Sequence, residues 1–546
     1  MTQKNGIWIL IATILGSSMA FIDSSVVNVA LPRLQTDLNT TSANVQWVVE
    51  AYALFLGALI LVGGSLGDQF GRKRIFAIGI GIFALASIWC GLSPNIEQLI
   101  IARSVQGIGG ALLTPGSLSI IRATIASDQR GKAIGTWSGF SAITSAMGPL
   151  LGGWIVQNAS WRWIFLINIP LAVAVLIVLF LRVPESRDEG ESKHLDWLGA
   201  LLTIVGLGGV VYGLIDAENV GLTDPLALGC VFGGLVALVA FVFVESRSRE
   251  PMMPLTLFRS RIFSGTNLLT LFLYAALGGA LFFFPFNLIG AQGYTATAAG
   301  ASLLPFTLLS FFLSRWAGGL VNRYGSKLPL VVGPTIAGIG FIMFSLPGLG
   351  GSYWTTYFPA VVVLGLGMTI TIAPLTTTVM GAVEDRYSGT ASGVNNAVAR
   401  VAGLLAVAVL GIVVSYAFDA SFAGRLAATH LPASVQSVLY AQRGRAIGIE
   451  IPNSVQGAAR LAARQAIDAS FVDGFRLAML IAAGLSFAGA LCALLLVSSP
   501  AKYPDHSGEK HIGDNACTLT FAHQRINKKM GDERDTTTPA IATKGR

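Results

Sequence analysis

The sequence predicts an all-α, polytopic membrane protein of about fourteen spans, arranged as two six-helix bundles with two additional central transmembrane helices. Three observations predict it. The chain is 53% hydrophobic and 12% charged over 546 residues, about half the charged fraction usual for a soluble domain. Its apolar residues fall into runs of roughly 18 to 28, long enough to cross a bilayer. A short glycine-rich, charged turn recurs in the second half of the chain.

The runs lie at about 8–31, 46–66, 75–93, 98–120, 133–156, 162–182, 196–215, 225–245, 262–290, 298–320, 328–347, 355–380, 393–417 and 474–498. The first is too long for a signal peptide and carries Asp23, so it reads as a mature span. The 63 glycines fit close helix approach. An even number of spans puts both termini on one side. One set of alternate loops holds Arg72, Lys73, Arg74, Arg122, Arg130, Lys132, Arg182, Arg187, Lys193, Arg247, Arg249, Arg259, Arg261, Arg323, Lys327 and Arg386. The other short loops hold little beyond Arg33 and Arg162. The basic set is expected in the cytoplasm of a cell inner (plasma) membrane, with both termini. The outer segment at about 418–473 also carries arginines, but long loops translocate largely regardless of charge. Within it, 458–469 reads as a surface helix over the outer mouth or as a solvated connector. The tail at 499–546 reads as disordered and cytoplasmic.

The duplication has a spacing of about 255 residues. Gly64-Ser65-Leu66-Gly67-Asp68-Gln69-Phe70-Gly71-Arg72-Lys73 is echoed by Gly318-Gly319-Leu320-Val321-Asn322-Arg323-Tyr324-Gly325-Ser326-Lys327. The expected organisation is an N-terminal bundle 1–182, two linker helices in 183–261 and a C-terminal bundle 262–498.

The net charge of +8 comes from short loops between apolar runs, so it reflects topology rather than nucleic-acid binding. Cys90, Cys230 and Cys492 lie in apolar runs and Cys517 in the tail, and no metal or disulfide spacing appears. His194, His430, His506, His511 and His523 all lie outside the runs. No phosphate-binding G-x-x-x-x-G-K-[ST] motif is present, so ATP drive is not expected. These features argue against a membrane enzyme or sensor. No cofactor is expected.

The motifs resemble those of the major facilitator superfamily, and more narrowly its fourteen-helix drug:proton antiporter branch of multidrug efflux type. Residues 63–76 are similar to the family's loop between its second and third helices. Residues 22–32 resemble the branch's first-helix signature around Asp23, and Arg103 through Gly110 its fourth-helix R-x-x-Q-G-x-G-G. Gly148-Pro149-Leu150-Leu151-Gly152-Gly153 resembles the antiporter motif on helix five, and 161–170 is typical of the branch. The resemblance implies the major facilitator fold, alternating access and proton-coupled export of small amphiphilic molecules or drugs. An exporter of a specific metabolite or siderophore, or an uptake symporter, would use the same fold. The expected partners are a small-molecule substrate, protons and the lipid bilayer, with the protein a monomer. A periplasmic adaptor protein is an accessory that relatives of this branch can work with.

Individual residues sharpen these expectations. Asp68 and Arg72 lie four apart at a helix end and suit a conformational latch with Gly67 and Gly71, Asp68 also reaching a helix N-terminus of the other half. Gly148 and Gly152, around Pro149 and beside Gly153, give a close helix contact that either packs locally or meets the second half. The second half reads Ala406 to Gly411 there, without proline. Asp23, Glu50 and Arg103 are intramembrane charges, each costing at least about 2.5 kcal/mol at mid-helix, and so candidates for proton coupling. Their depths from the outer surface are roughly 13, 6 and 8 Å, one leaflet of one half. The membrane potential supplies about 2.3 kcal/mol per charge per 100 mV, enough for roughly a fifty-fold gradient. The second half has Arg400 with Asn395 and Asn396 as cavity candidates and no carboxylate deep in a span. Phe282, Phe283, Phe284, Phe286, Phe311 and Phe312 offer aromatic faces to a cationic substrate or serve in packing.

Overall fold

A computed structural model describes residues 3–498 except 126, 187–195, 222, 249–250, 252, 385–387 and 430. The tail at 499–546 and the loop residues Arg187, Lys193, Arg249 and Arg386 lie outside the described residues. The fold is helical throughout the described chain. The helices are α1 (Gln3–Asp37), α2 (Ser42–Phe70), α3 (Arg72–Leu92), α4 (Ile96–Thr124), α5 (Ser127–Asn158), α6 (Trp163–Leu166) and α7 (Asn168–Arg182). Then follow α8 (Trp197–Val220), α9 (Pro225–Arg247), α10 (Arg261–Pro285), α11 (Ala296–Ala301), α12 (Leu304–Tyr324) and α13 (Lys327–Ser345). The last are α14 (Tyr353–Gly381), α15 (Ser388–Ala427), α16 (Ala433–Ala441) and α17 (Gly457–Leu496). α6 continues into α7 and α11 into α12, which leaves fourteen segments of spanning length, as the apolar runs predict. Among the described residues, twelve are long and apolar enough to cross a membrane. α4 and α5 match them in length but are rich in polar and small residues.

Local chemistry sets the boundaries. Thr41 caps α2 by accepting from the Asn44 amide, and Asn95 caps α4 by accepting from Gln98. Asp224 caps α9, with Pro225 at the first helical position. The repeated turns end α2 and α12 at Gly71 and Gly325, with φ of 108° and 75°. Only glycine takes such angles without strain, so both copies of the duplicated motif stop a helix by the same device. α10 ends at Pro285, and a π turn, Phe286–Ala291, follows directly.

Within the first half, α2 packs on α4, α4 on α3 and α1 on α5. In the second, α10 packs on α15 and α17, and α13 on α14 and α17. The linker helices α8 and α9 pair with each other, and α8 also rests on both α2 and α15. The halves touch where α5 meets α11 and α12, and where α2 meets α15. The end carrying Arg72, Lys73, Arg74 and Arg323 is here called the basic end, and the opposite one the far end.

The far-end segment at about 418–473 differs from expectation. α15 and α17 are 40-residue helices that extend into it from both sides, leaving a connector of 428–456. Residues 458–469 are neither a separate surface helix nor a solvated connector. They are the first turns of α17, with Ala463, Ala466 and Ile467 buried. The connector reaches across to the first half, where Gln35 of α1 donates through Nε2 to the Arg445 carbonyl at 2.9 Å. Beside it lies a far-end groove of about 670 Å³, lined among others by Arg33, Asp37, Gln157, Gly290 and Arg464.

Candidate functional site

Asp23 and Arg103 form a buried ion pair between α1 and α4, with 0% and 1% of their side chains exposed. Asp23 Oδ2 takes the Arg103 Nη1 donor. Asp23 Oδ1 accepts from Gln106 Nε2 at 2.9 Å and from Asn168 Nδ2 at 3.3 Å. Arg103 also donates through Nε to the Val48 carbonyl at 2.9 Å and through Nη1 to Gln106 Oε1 at 2.7 Å. Its guanidinium lies 4.2 Å from the centre of the Tyr52 ring. Ser87 Oγ closes the network, accepting from Gln106 at 2.9 Å and Asn168 at 3.3 Å. One carboxylate is thereby tied to α1, α3, α4 and α7, and its charge is neutralised in a site closed to water.

The glycines after Arg103 explain how the pair is brought together. A Cβ at Gly107 would lie 2.6 Å from the Tyr52 carbonyl of α2, and one at Gly109 would lie 2.6 Å from the Phe83 nitrogen of α3. Backbone sits against backbone on both sides of α4, so Arg103 and Gln106 are delivered to Asp23 without a wider gap. Sequence reasoning singled out neither Gln106, Asn168 nor Ser87 as site residues. Gln106 and Asn168 do lie inside the motifs that carry the resemblance, which is the signal that was there to use.

Glu50 does not join this network. Val48 and Tyr52, four apart, present α2's face to Arg103, whereas Glu50 lies between them in sequence and so on roughly the opposite side of the helix. Its side chain is buried, and Oε2 has no hydrogen-bond partner among the described residues. The neighbouring contacts place it at the boundary between halves. A Cβ at Gly411 of α15 would meet the Gln46 side chain, and one at Gly57 would lie 3.7 Å from Arg400 Cβ. These two contacts run antiparallel and in register, which sets Glu50 opposite Val407.

The second-half candidates separate similarly. Asn395 donates to Thr270 Oγ1 at 2.7 Å and Asn267 Oδ1 at 3.2 Å, holding α15 to α10. Asn396 is exposed, its amide donating to the Ser392 carbonyl of its own helix at 3.0 Å. Arg400 faces α2 across Gly57. Of the aromatics, Phe282, Phe283, Phe284 and Phe286 are buried, and Phe284 packs against Phe344, Tyr357 and Phe475. Phe311 and Phe312 are exposed on α12.

At the basic end Arg72 Nη2 and Nε lie 2.8 and 2.9 Å from Asp68 Oδ1. Asp68 makes no hydrogen bond or ion pair with the second half among the described residues, so of the latch only the internal arm is formed. The α3 N-terminus is instead occupied by Glu185, at the start of the linker segment, which accepts from the Lys73 and Arg74 amides at 3.0 and 3.2 Å. Gly71 has no room for a side chain beside that carboxylate.

The helix-five motif divides its work. Gly148 and Gly152 face α1, where a Cβ would strike Ser25 and Val26. Gly153 and Pro149 face the second half: a Cβ on Gly153 would strike the Ala296 carbonyl, and one on Gly300 would strike that of Pro149. The pair at small-xxx-small spacing packs within its half, and the remaining two positions make the far-end contact between halves.

Comparison with known proteins agrees with the fold and motifs. The family description "Major Facilitator Superfamily" matches residues 13–407. The chain is 31% identical over 489 residues to the tetracenomycin C resistance and export protein of Streptomyces glaucescens, covering 89% of this chain and 90% of that one. It is 32% identical over 488 residues to the multidrug resistance protein Stp of Mycobacterium tuberculosis, strain CDC 1551 / Oshkosh, covering 87% and 88%. A bacterial homologue of the human lysosomal transporter Spinster superposes with a TM-score of 0.59 at 19% identity, over 92% of this chain and all of that one. By its matched span, its fold and its motifs, the chain belongs to the major facilitator superfamily.

Proposed function

We propose that the protein is a proton-coupled secondary transporter that exports small amphiphilic molecules or drugs by alternating access. The observation that carries this reading is the Asp23–Arg103 pair, buried in a membrane-spanning bundle and held by neutral polar donors on α4 and α7. A proton arriving at Asp23 removes the charge that binds Arg103 and loosens α1 from α4, so proton binding changes the shape of the first half. The resistance and export relatives support the outward direction. In this reading the basic end is cytoplasmic, with both termini, in the inner membrane of the cell. The bundles 1–182 and 262–498 rock about the α2–α15 and α5–α11 contacts, and 183–261 links them. The protein acts as a monomer, and a periplasmic adaptor is an accessory rather than part of the transport unit. Glu50 is a second proton site, separate from the pair.

The test uses everted membrane vesicles from cells producing the protein. Substrate-dependent release of protons from energised vesicles, lost with Asp23→Asn, is the expected result. Substrate accumulation unaffected by collapse of the proton gradient would overturn the coupling.

A further inference from the structure

We infer that Arg400 is the charge that recognises cargo, and that it selects amphiphiles bearing one anionic oxygen group, such as a carboxylate, a phenolate or an enolate. The inference deepens the transport reading above and rests on it.

Arg400 packs on Gly57, one residue from the midpoint of the apolar run 46–66 in α2. A run of that length crosses a hydrocarbon core of about 30 Å, so its midpoint lies near the centre of the bilayer. Substrate sites of transporters built from repeats sit at that level, at the boundary between the repeats. Arg400 is on that boundary: its Cβ and Cδ would lie 3.7 and 4.0 Å from a Cβ on Gly57 of α2. The missing side chain at Gly57 leaves room for the arginine stem between the halves.

Its charge has no partner. Among the described residues no carboxylate pairs with Arg400, and no hydrogen bond is formed by its guanidinium. The other deep arginine, Arg103, is fully engaged by Asp23, Gln106 and the Val48 carbonyl. Glu50 shares the same seam, but it is 1% exposed and seven residues further along α2 than Gly57, about 10 Å away. Helical side chains lean toward the helix N-terminus, which tilts Arg400 on α15 toward the basic end and Glu50 on α2 toward the far end. The two charges therefore lean apart, and Arg400 is the one presented to the basic end, partly exposed.

The surroundings leave the guanidinium as the dominant charge. One turn toward the basic end, Asn396 is exposed and offers a second polar group on nearly the same face of α15. A separate cavity of about 470 Å³ lies on another face of that helix, lined by Val394, Val398 and Val401 with Ala58, Phe241 and Phe258, and neither Arg400 nor Asn396 lines it. The guanidinium supplies the single strong interaction for an anionic head.

The purified full-length protein in proteoliposomes is tested with three probes that share a ring and differ in the head: 2-naphthoate, 2-naphthamide and 2-naphthylmethylammonium. Calorimetry is expected to show naphthoate bound about tenfold more tightly than the amide, with the ammonium weakest. Arg400→Gln is expected to bring naphthoate down to the amide's affinity, and Arg400→Lys to keep part of the preference. Equal affinity for all three probes in the wild type, preference for the ammonium, or an anion preference that survives Arg400→Gln overturns the inference. If Arg400→Gln fails to fold, the wild-type comparison and Arg400→Lys decide it. Proton-driven flux of each probe is measured in parallel. Anion-selective binding without flux would sink the transport reading alone, and charge-blind flux would sink the recognition alone.

Discussion

Replacing Asp23 with Asn removes the counter-charge of Arg103 and keeps the shape of the side chain. The guanidinium retains its bonds to the Val48 carbonyl and Gln106 and its place over Tyr52, at 2.9, 2.7 and 4.2 Å. Those contacts do not neutralise it. Breaking a buried pair by removing one partner costs about 3–5 kcal/mol, and the retained cation–π contact places this case near the low end, at about 3 kcal/mol. Arg103→Gln strands the carboxylate with only Gln106 and Asn168 as donors, so a loss of about 3 kcal/mol is expected there too. The double variant buries no net charge, and its total loss is expected to stay near about 3 kcal/mol rather than reach about 6. Mixed-micelle unfolding, followed by tryptophan fluorescence on all four proteins, gives the coupling energy directly. Losses that add within about 0.5 kcal/mol would mean that the pair is not electrostatically coupled in the folded protein, and the proposed proton switch would fall with it. Proton release at this site is expected to be absent from Asp23→Asn and from the double variant, because neither keeps a titratable group at position 23.

Glu50→Gln is expected to change stability by less than about 1 kcal/mol, because Oε2 has no partner to lose, while altering the pH dependence of flux. An unchanged pH–flux profile would remove Glu50 from coupling. Asp68→Asn breaks a partly exposed pair, so it is expected to cost no more than about 1 kcal/mol yet lower transport. Normal flux in the reconstituted variant would count against the latch. Gly153→Ala puts a Cβ into the Ala296 carbonyl, and a loss of about 1–3 kcal/mol is expected together with faster thiol labelling of a Ser160→Cys reporter at the far end. Unchanged labelling would show that α5 does not close that end.

The spans were legible because bilayer thickness imposes one length on every apolar run, and that constraint needs no knowledge of packing. The depths of Asp23 and Arg103 were legible for the same reason, and the structure brings the two together. What depth cannot give is rotation about the helix axis. Glu50 shares the leaflet of the pair, yet it faces α15 instead, because two residues turn a side chain about 200°. The same limit hid the division within helix five, where Gly152 and Gly153 are adjacent in sequence and face different halves. Gln106 and Asn168 were overlooked for another reason. A neutral amide in a span carries little energetic signal until its partner is known, whereas a charge advertises itself. The first turns of α17 escaped because alanine and arginine fit an exposed helix as well as one packed on a neighbour.

The two kinds of contact in this molecule assign different parts of the transport cycle. Where α5 meets α11 the halves are joined by backbone lying on glycine, at Gly153 against Ala296 and Gly300 against Pro149, and Gln35 adds one hydrogen bond to the Arg445 carbonyl. The Thr297 amide adds another, donating to Gln157 Oε1 at 3.3 Å. Among the described residues no ion pair crosses this joint, so it can open to water by parting hydrogen bonds and backbone contacts, which suits a surface that must part and re-form in each cycle. The Asp23–Arg103 network is the reverse, with charge, amides and hydroxyl all buried and all inside the first half. Rocking the halves as rigid bodies leaves it untouched. A proton can then influence the joint only by altering the first half itself, through the packing of α1 on α5, where Ser25 and Val26 bear on Gly148 and Gly152. The path from Asp23 to the joint is two to three residues along α1 and then across to helix five, whose Pro149 and Gly153 touch the second half. On this route, enlarging Gly148 or Gly152 should uncouple flux from protons even in a variant whose ion pair is intact, and retention of full coupling in a folded Gly152→Ala variant would break it.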